Sequence, residues 1–483
     1  MNKNEISVIS APTELCMRRK KEEIHAFRTE FQRDRDRILY SKAFRRLSGK
    51  TQVFLPLSHD HVRTRLTHTL EVVQVARVTA RNLSLNEDLT EAIALGHDIG
   101  HTPFGHVGER TLNFITNGCD SFANFQESMP FEVMGFKHNL QGLRVACELE
   151  KFYREFKGMN LSNFTLWGIK NHSKVTWAKK DKSSGQPIPC EYFDQNNCYL
   201  KTKIQDCPKP EQSVQFYKKY DMFTKIKEST AEAWSFEGFL VAQADEIAQR
   251  HHDIEDALHM GIVSTKEALD IVDLHFRAHF DKVDKQLFKK MSSTANYTGF
   301  FVPLVSKFIV NLLNRKLIEY SLIRFSELLN YYGIHSKNDF IANRDNIEIG
   351  YASSCVSFEP SFASSHDNFQ SFLKNRILNS FDVQRMDGRG THIIRKLFKA
   401  YLSNPGQLPD TAVIDAYNIY FKKDYSILDI SQQEIGTLRD HIGKYIKRPN
   451  PEFQIACLRA ICDHIAGMTD NYALDEYNKL YAL

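Results

Sequence analysis

His97 and Asp98 stand side by side in Ala94-Leu95-Gly96-His97-Asp98-Ile99-Gly100-His101, with His68 upstream and Asp245 far downstream in Gln243-Ala244-Asp245-Glu246. Two imidazoles and two carboxylates can hold one divalent cation. Mixed nitrogen and oxygen donors suit Mn, Fe, Zn, Ni or Mg, and four protein ligands leave positions open for water or a phosphate oxygen. An open position makes such a site catalytic rather than structural. His106 and Glu109 lie one helical turn apart, so the carboxylate can orient and polarise the imidazole while the imidazole activates water. Arg65 precedes His68 by one such turn and can point a guanidinium toward the cation's substrate. Each residue alone has a plainer reading: a hydrogen-bonded His68 inside a helical core, and Asp98 on the surface. Several separated acid and imidazole positions in one pattern favour the metal centre.

Helices must position these groups. Residues 63–83 read as a buried helix with His68 near its start: Leu66, Leu70, Val73 and Arg77 fall close to one stripe, with Val72, Val75 and Val78 beside it. Residues 88–98 read as a second helix, apolar at Ala92, Ile93 and Leu95 and stopped at Gly100 and Pro103, which puts His97 and Asp98 in its last turn. Helical patterning spans 14–165 and resumes over 228–269, carrying Asp245. Apolar helical stretches at 301–334, 391–403 and 452–467 suggest a C-terminal helical lobe. Strand signals are sparse. Lysines, serines and prolines break the pattern between 173 and 230, as in a long excursion between helices.

The same segments carry a resemblance that covers most of the chain, in order. Arg33-Asp34-Arg35-Asp36-Arg37-Ile38, Ser41-Lys42-Ala43-Phe44-Arg45-Arg46-Leu47, Lys50-Thr51-Gln52-Val53-Phe54 and Arg63-Thr64-Arg65-Leu66-Thr67-His68 come first. Gly96-His97-Asp98-Ile99-Gly100-His101-Thr102-Pro103-Phe104-Gly105-His106-Val107-Gly108-Glu109 and Asn139-Leu140-Gln141-Gly142-Leu143-Arg144 follow. Ala244-Asp245-Glu246-Ile247-Ala248, His252-Asp253-Ile254-Glu255-Asp256-Ala257-Leu258 and Ile465-Ala466-Gly467-Met468-Thr469-Asp470 complete the set. With these motifs the chain resembles the deoxyguanosine triphosphate triphosphohydrolase-like members of the HD-domain phosphohydrolases, which hydrolyse deoxynucleoside triphosphates to deoxynucleoside and tripolyphosphate.

The resemblance implies an all-α fold: an HD-domain core over 1–172 and 228–290, an insertion over 173–227 and a C-terminal helical lobe over 291–483. It implies one divalent ion per subunit, Mn²⁺, Mg²⁺, Co²⁺ or Fe²⁺, held by His68, His97, Asp98 and Asp245, with His106 and Glu109 as the catalytic pair. It places Gln52 and Arg65 near the sugar and phosphates, where a tight amide beside C2′ and C3′ excludes a ribose hydroxyl. It gives His101 a phosphate contact, against an equally weighted supporting or capping role, and gives Asn139 a place near the nucleotide. His172, in Gly168-Ile169-Lys170-Asn171-His172-Ser173, resembles a phosphate-reaching segment, with a loop histidine at the insertion's edge as its competitor. Asp253 matches an acceptor for the sugar 3′-hydroxyl. Gln249 departs from the family, in which a tyrosine packing against deoxyribose is common. Homo-oligomers, commonly hexamers, are expected, and a nucleotide or a single-stranded nucleic acid could act as effector. The substrate expected is dGTP. The rivals are another HD-domain nucleotide phosphohydrolase, which has no need of the segments around Gln52, Asn139 and Gly467, and a nucleic-acid-binding protein that keeps the fold without turnover.

Bulk properties agree with these expectations. A chain of 483 residues exceeds one ordinary core and, at 42% hydrophobic, can build two lobes. No apolar run is long enough to span a bilayer, and Met-Asn-Lys-Asn-Glu-Ile-Ser-Val-Ile-Ser lacks the basic start and apolar core of a signal peptide, so a cytoplasmic location is expected. Nine cysteines without a Cys-x-x-Cys spacing fit reduced thiols; Cys190, Cys198 and Cys207 match no finger pattern and read as scattered. Net charge is only +4, but basic residues crowd between Arg18 and Lys50. That density suits a triphosphate or a nucleic-acid backbone, or a salt-bridged face, given the interleaved Glu22, Glu23, Asp34 and Asp36.

Overall fold

A computed structural model describes residues 6–52, 63–117, 135–151, 153, 156–173, 215–226, 231–422, 431–447 and 450–481. The N-terminal half contains α1 (Glu30–Tyr40), α2 (Lys42–Arg46), α3 (Arg65–Asn82), α4 (Glu87–Gly96), α5 (Gly105–Thr116), α6 (His138–Arg144) and α7 (Asn163–Asn171). A 3-10 segment (Gln215–Thr224) leads to α8 (Phe236–His259), α9 (Thr265–Phe276) and α10 (Lys282–Ser293). The rest comprises α11 (Thr298–Tyr332), α12 (Lys337–Asn343), α13 (Ile349–Ser354), α14 (Pro360–Leu378), α15 (Phe381–Ser403), α16 (Asp410–Phe421), α17 (Gln432–Lys447), α18 (Pro451–Ala466) and α19 (Asp470–Tyr481). Among the described residues extended backbone pairs only in isolated bridges, such as Thr51 with Thr64, so the fold is all-α as expected. No helix among them is long and apolar enough to cross a membrane.

Local sequence starts the helices that matter. Thr64 caps α3, Asn86 caps α4, Ser162 caps α7 and Ser235 caps α8, each side chain accepting a hydrogen bond from a backbone N–H of the first turn. Each such cap contributes about 1 kcal/mol. α3, α4 and α8 pack on one another, with α1 against α4, and α7 and α11 against α8. Val72, Ala76, Leu89, Ile93, Leu240, Ala244 and Ile247 meet in this core.

Two details of the predicted helices change. The buried face of α3 runs through His68, Thr69, Val72, Val73, Val75, Ala76, Thr79 and Ala80, whereas Leu70 is 48% and Val78 49% exposed. A stripe drawn through Leu66, Leu70 and Arg77 is rotated from the face that meets α4 and α8. The helical patterning over 228–269 resolves into two helices, α8 and α9, because Gly261 takes a left-handed φ of 67° after α8 and Ser264 caps α9. Of the insertion, 174–214 and 227 lie outside the described residues, as do Cys190, Cys198 and Cys207.

Apolar packing continues past residue 290: α11 lies on α8, and one core runs from Ile6 to Val383. A second core joins Leu112 and Ile115 of α5 to Ile393, Ile394 and Leu397 of α15, Val413 of α16 and Ile461 of α18. α5, which carries His106 and Glu109, therefore packs on the second core. Part of the basic N-terminal segment is paired: Arg18 with Glu30 and Asp34, Arg33 with Glu22 and Glu30, Arg37 with Glu22, and Arg28 with Asp36. These four arginines are salt-bridged.

Candidate metal centre and active site

α4 is buried from Ala92 through Gly96, its last residue, so the turn that follows opens deep in the protein. His97 keeps helical backbone angles as the C-cap, and the His101 N–H donates to the Asp98 carbonyl at 3.0 Å to close the turn. Asp98 thus lies just past the helix rather than in its last turn. Gly100 lets this turn touch α6. A Cβ there would lie 2.1 Å from the His138 carbonyl and 2.2 Å from the Gly142 nitrogen. The close approach stacks the rings of His101 and His138 with centroids 4.0 Å apart. Phe104 and Gly105 then both take left-handed angles, at φ 59° and 62°, which turns the chain into α5 and starts that helix with His106 in its first turn. For Phe104 this conformation costs roughly 1–2 kcal/mol. Its N–H is held by Asp470 Oδ1 at 2.8 Å, and the other oxygen of Asp470 accepts from Thr51 N at 2.8 Å, the residue before Gln52.

The sequence-predicted metal ligands converge. His68 Nε2 lies 2.9 Å from Asp245 Oδ1, and His97 Nε2 lies 3.6 Å from Asp98 Oδ1 and 3.9 Å from Asp245 Oδ1. Donors about 2.1 Å from a shared cation stand about 3.0–3.4 Å apart in octahedral or tetrahedral arrangements, so the spacing fits with small adjustments. A second observation points the same way. His97 Nδ1 lies 2.7 Å from the Ala94 carbonyl and donates to it, leaving Nε2 as the lone-pair nitrogen, buried and without a hydrogen-bond partner. A buried unpaired acceptor is costly, and a cation placed among these groups satisfies it. Both carboxyls are ionised. Burial alone would raise Asp98, but His97 and Arg65 hold it well below the usual carboxylate range. Burial would likewise raise Asp245, but the neighbouring imidazoles of His68 and His97 hold it below the usual range.

Beside this centre is a cavity of about 440 Å³ whose lining includes Gln52, Arg65, His101, His106, Glu109 and Asp253. Arg65 is buried and donates through Nη1 to Asp98 Oδ2 at 2.6 Å, while its Nε and Nη2 have no partner. Gln52 Oε1 is also buried and unpartnered. His101 Nε2 is 3.3 Å from Asp98 Oδ1; burial and the Arg65 charge hold His101 well below the usual histidine range, so it is neutral. Asp253 is pushed up to about 6 by burial, against the pull of Arg250 and Lys374, and Arg250 donates to it at 3.3 Å. Gln249 lines the same cavity, as do Lys374, Ile377 and Leu378 of α14.

The geometry around Glu109 is richer than the sequence suggested. His106 Nδ1 is 3.7 Å from Glu109 Oε2, whereas His138 Nδ1 is 2.6 Å from that oxygen and Lys137 Nζ is 3.1 Å from Oε1. Burial would raise Glu109, but His138, the hydrogen bonds from both imidazoles and Lys137 hold it well below the usual range. His138 was not singled out from the sequence, although it directly precedes the matched Asn139 segment. Asn139 does not line the cavity; its amide donates to the carbonyls of Lys170 and Ser173 at 2.6 and 3.1 Å, tying α6 to the end of α7. His172 is buried behind the wall, donating through Nδ1 to the Ile169 carbonyl at 2.7 Å with Nε2 3.2 Å from His138 Nε2. Burial, then His97 and His138, lower it to about 3.

Comparison with known proteins accounts for this arrangement. Residues 65–202 match the HD domain, and residues 356–418 and 433–479 match the phosphohydrolase-associated domain. A deoxyguanosinetriphosphate triphosphohydrolase-like protein of Bordetella pertussis is 33% identical over 477 residues, 99% of this chain and 96% of that protein. Proteins of the same description are 32% identical in Geobacter metallireducens, over 96% of this chain and 91% of theirs, and 31% identical in Caulobacter sp., over 94% and 91%. With its His and Asp cluster able to hold a metal, the chain belongs to the deoxyguanosinetriphosphate triphosphohydrolase-like family of HD-domain phosphohydrolases.

Proposed function

We propose that this protein hydrolyses deoxynucleoside triphosphates, dGTP foremost, at the α-phosphorus, releasing deoxynucleoside and intact tripolyphosphate. The supporting observation is that one cavity is lined by His68, Asp98 and Asp245 of the metal set and by the His106, Glu109, His138 cluster, and that Arg65, with two unpartnered nitrogens, lines it as well. His68, His97, Asp98 and Asp245 would hold a divalent cation, whose positive charge would offset charge developing on a phosphoryl oxygen. Arg65 meets a second phosphate oxygen through the nitrogens that Asp98 leaves free. His106 takes a proton from the attacking water, and Glu109 fixes its orientation by accepting from Nδ1. The new bond forms between water oxygen and the α-phosphorus; the bond to the sugar 5′-oxygen breaks, and that oxygen takes up a proton. Gln52 stands against the sugar edge and Asp253 accepts from the 3′-hydroxyl.

The test is incubation of the purified protein with each deoxynucleoside and ribonucleoside triphosphate under Mg²⁺, Mn²⁺ and Co²⁺, with chromatographic identification of the products. Deoxynucleoside and tripolyphosphate in equal amounts are expected, with dGTP turned over fastest. Release of pyrophosphate, or of orthophosphate in steps, overturns attack at the α-phosphorus.

A further inference from the structure

Behind His68, on the side away from the cavity, Glu71, His251 and His252 form a second cluster close enough to hold an ion of its own. Its hydrogen bonds argue for a different use. His68 Nδ1 is 3.2 Å from His252 Nδ1, and the opposite nitrogen of His252 meets Glu71 Oε2. His251 Nε2 lies 3.3 Å from the same oxygen, and Arg63 Nε lies 3.5 Å from it. Arg63 is itself held by Glu255 at 2.7 Å and Asp256 at 3.1 Å.

Proton placement along this row has one self-consistent solution. A metal-ligating His68 offers the Nε2 lone pair, so its proton sits on Nδ1 and must be donated. Among the described residues the polar atom against that nitrogen is His252 Nδ1, which must then accept, leaving the His252 proton on Nε2 to be donated to Glu71. The carboxylate ends the row as acceptor, fixed from outside by Arg63. A second cation on Glu71, His251 and His252 reverses this order: it takes the Nε2 lone pair of His252, forces the proton onto Nδ1, and sets two N–H donors against each other at 3.2 Å. The guanidinium beside Glu71 opposes such a cation further.

We propose that His252 and Glu71 are positioning residues for the metal centre: Glu71 fixes the tautomer of His252, and His252 fixes the ring orientation and tautomer of His68. The proposal rests on His68 being a metal ligand. Outer hydrogen bonds of this type orient a ligating imidazole and raise its basicity, and their loss costs about 10–100-fold in metal affinity or activity. α3 supplies both His68 and Glu71, one turn apart, while α8 supplies both Asp245 and His252. The same pair of helices that builds the ligand set therefore also builds its support.

The experiment titrates the metal-free protein with Mn²⁺, following free ion by electron paramagnetic resonance, for the parent, His68→Ala, His252→Ala, Glu71→Ala and Glu71→Gln. The parent is expected to bind one ion per chain. His252→Ala should weaken it by about 10–100-fold, with one ion still bound at saturation and turnover largely recovered there. Glu71→Ala should weaken it as well, and Glu71→Gln, which keeps an acceptor, should recover most of that loss. The Glu71 variants carry the test if His252→Ala does not fold. Unchanged Mn²⁺ affinity in His252→Ala and Glu71→Ala, with His68→Ala unable to bind, overturns the positioning role alone. Full binding by His68→Ala overturns the ligand assignment beneath it. Two ions in the parent falling to one in His252→Ala shows a second metal site in place of the relay.

Discussion

Replacing Glu109 with glutamine tests how the imidazoles are held, because the outcome depends on which way the new amide turns. In the parent, Glu109 Oε2 accepts from His138 Nδ1 at 2.6 Å and faces His106 Nδ1 at 3.7 Å, while Oε1 faces Lys137 Nζ at 3.1 Å. Every neighbour is a donor, and glutamine has only one oxygen to offer. Pointed at Lys137, the oxygen makes a charge-assisted bond of about 1.5–3 kcal/mol; pointed at His138, it makes a bond of about 0.5–1.5 kcal/mol. Lys137 therefore captures it, and the amide N–H turns toward the imidazoles and forces their protons onto Nε2, where His106 can no longer act as base. The expected loss in kcat approaches the whole general-base contribution, about 10²–10⁴-fold. Lys137→Met alone should cost about 10-fold or less. In the Glu109→Gln, Lys137→Met double variant the amide is free to turn back, and kcat should rise at least about 10-fold above Glu109→Gln, a gain of about 1.4 kcal/mol. The assay is tripolyphosphate release at saturating Mn²⁺ and dGTP, with Mn²⁺ affinity measured in parallel and expected to stay at the parent value. A double variant no faster than Glu109→Gln, or a Glu109→Gln enzyme within about 10-fold of the parent, refutes the reasoning.

Loss of a proposed metal ligand should abolish metal retention: His68→Ala and Asp98→Ala are expected to purify without stoichiometric metal and without metal-dependent turnover, and elemental analysis of the purified variants checks it. Gln52→Ala should raise turnover of ribonucleotides relative to deoxynucleotides, since a site that excludes a hydroxyl by an unmatched polar group can lose up to roughly 10⁴-fold selectivity in one change; unchanged ratios move sugar selection elsewhere. Asp253 titrates near 4 in an unfolded chain and near 6 in the fold, so the fold binds its proton more tightly and stability falls as pH rises between those values. The fall is about 3 kcal/mol at most, and denaturant midpoints of Asp253→Asn at pH 4 and pH 7 should lack that part of the parent's slope. Asp470→Asn keeps one acceptor but sets an amide N–H against either Thr51 N or Phe104 N. It should destabilise by about 1–3 kcal/mol and lower kcat while Mn²⁺ affinity stays unchanged, as calorimetry and the Mn²⁺ titration can show together.

The convergence of the four proposed ligands was legible because His97 and Asp98 are covalent neighbours and His68 and Asp245 sit on helices, although the stripe read through Leu66, Leu70 and Arg77 was rotated from the face that buries His68. His138 was missed for a related reason. Successive residues on a helix point about 100° apart, so a motif that draws attention to Asn139 names the helix and the wrong side chain by one position. Here Asn139 ties α6 to α7 while His138 faces Glu109 and the cavity. The part of the lining with Lys374, Ile377, Val383 and Asp387 carried no motif. These residues belong to α14 and α15, and only packing brings them to the cavity that Gln249 lines, so this part of the surface could not be read from spacing.

The final matched segment, Ile465 to Asp470, shows what a motif without chemistry can be for. None of its side chains lines the cavity beside the metal set, yet Asp470 grips both Thr51 and Phe104. Lys50, one residue before Thr51, is buried and donates to the carbonyls of His101 and Ala466. The strand-like segment bearing Gln52, the turn bearing His101 and the start of α5 bearing His106 are thereby fastened to one point at the junction of α18 and α19. Three groups assigned to sugar, phosphate and water thus share an anchor supplied by the far end of the chain. An enzyme that must hold three loop-borne groups in register over a metal set on rigid helices needs such an anchor, because loops alone do not fix side chains to the fraction of an ångström that positioning requires. Removing the anchor should therefore disturb turnover and sugar selection together while leaving the ligands on α3, on α8 and in the turn after α4 where they are.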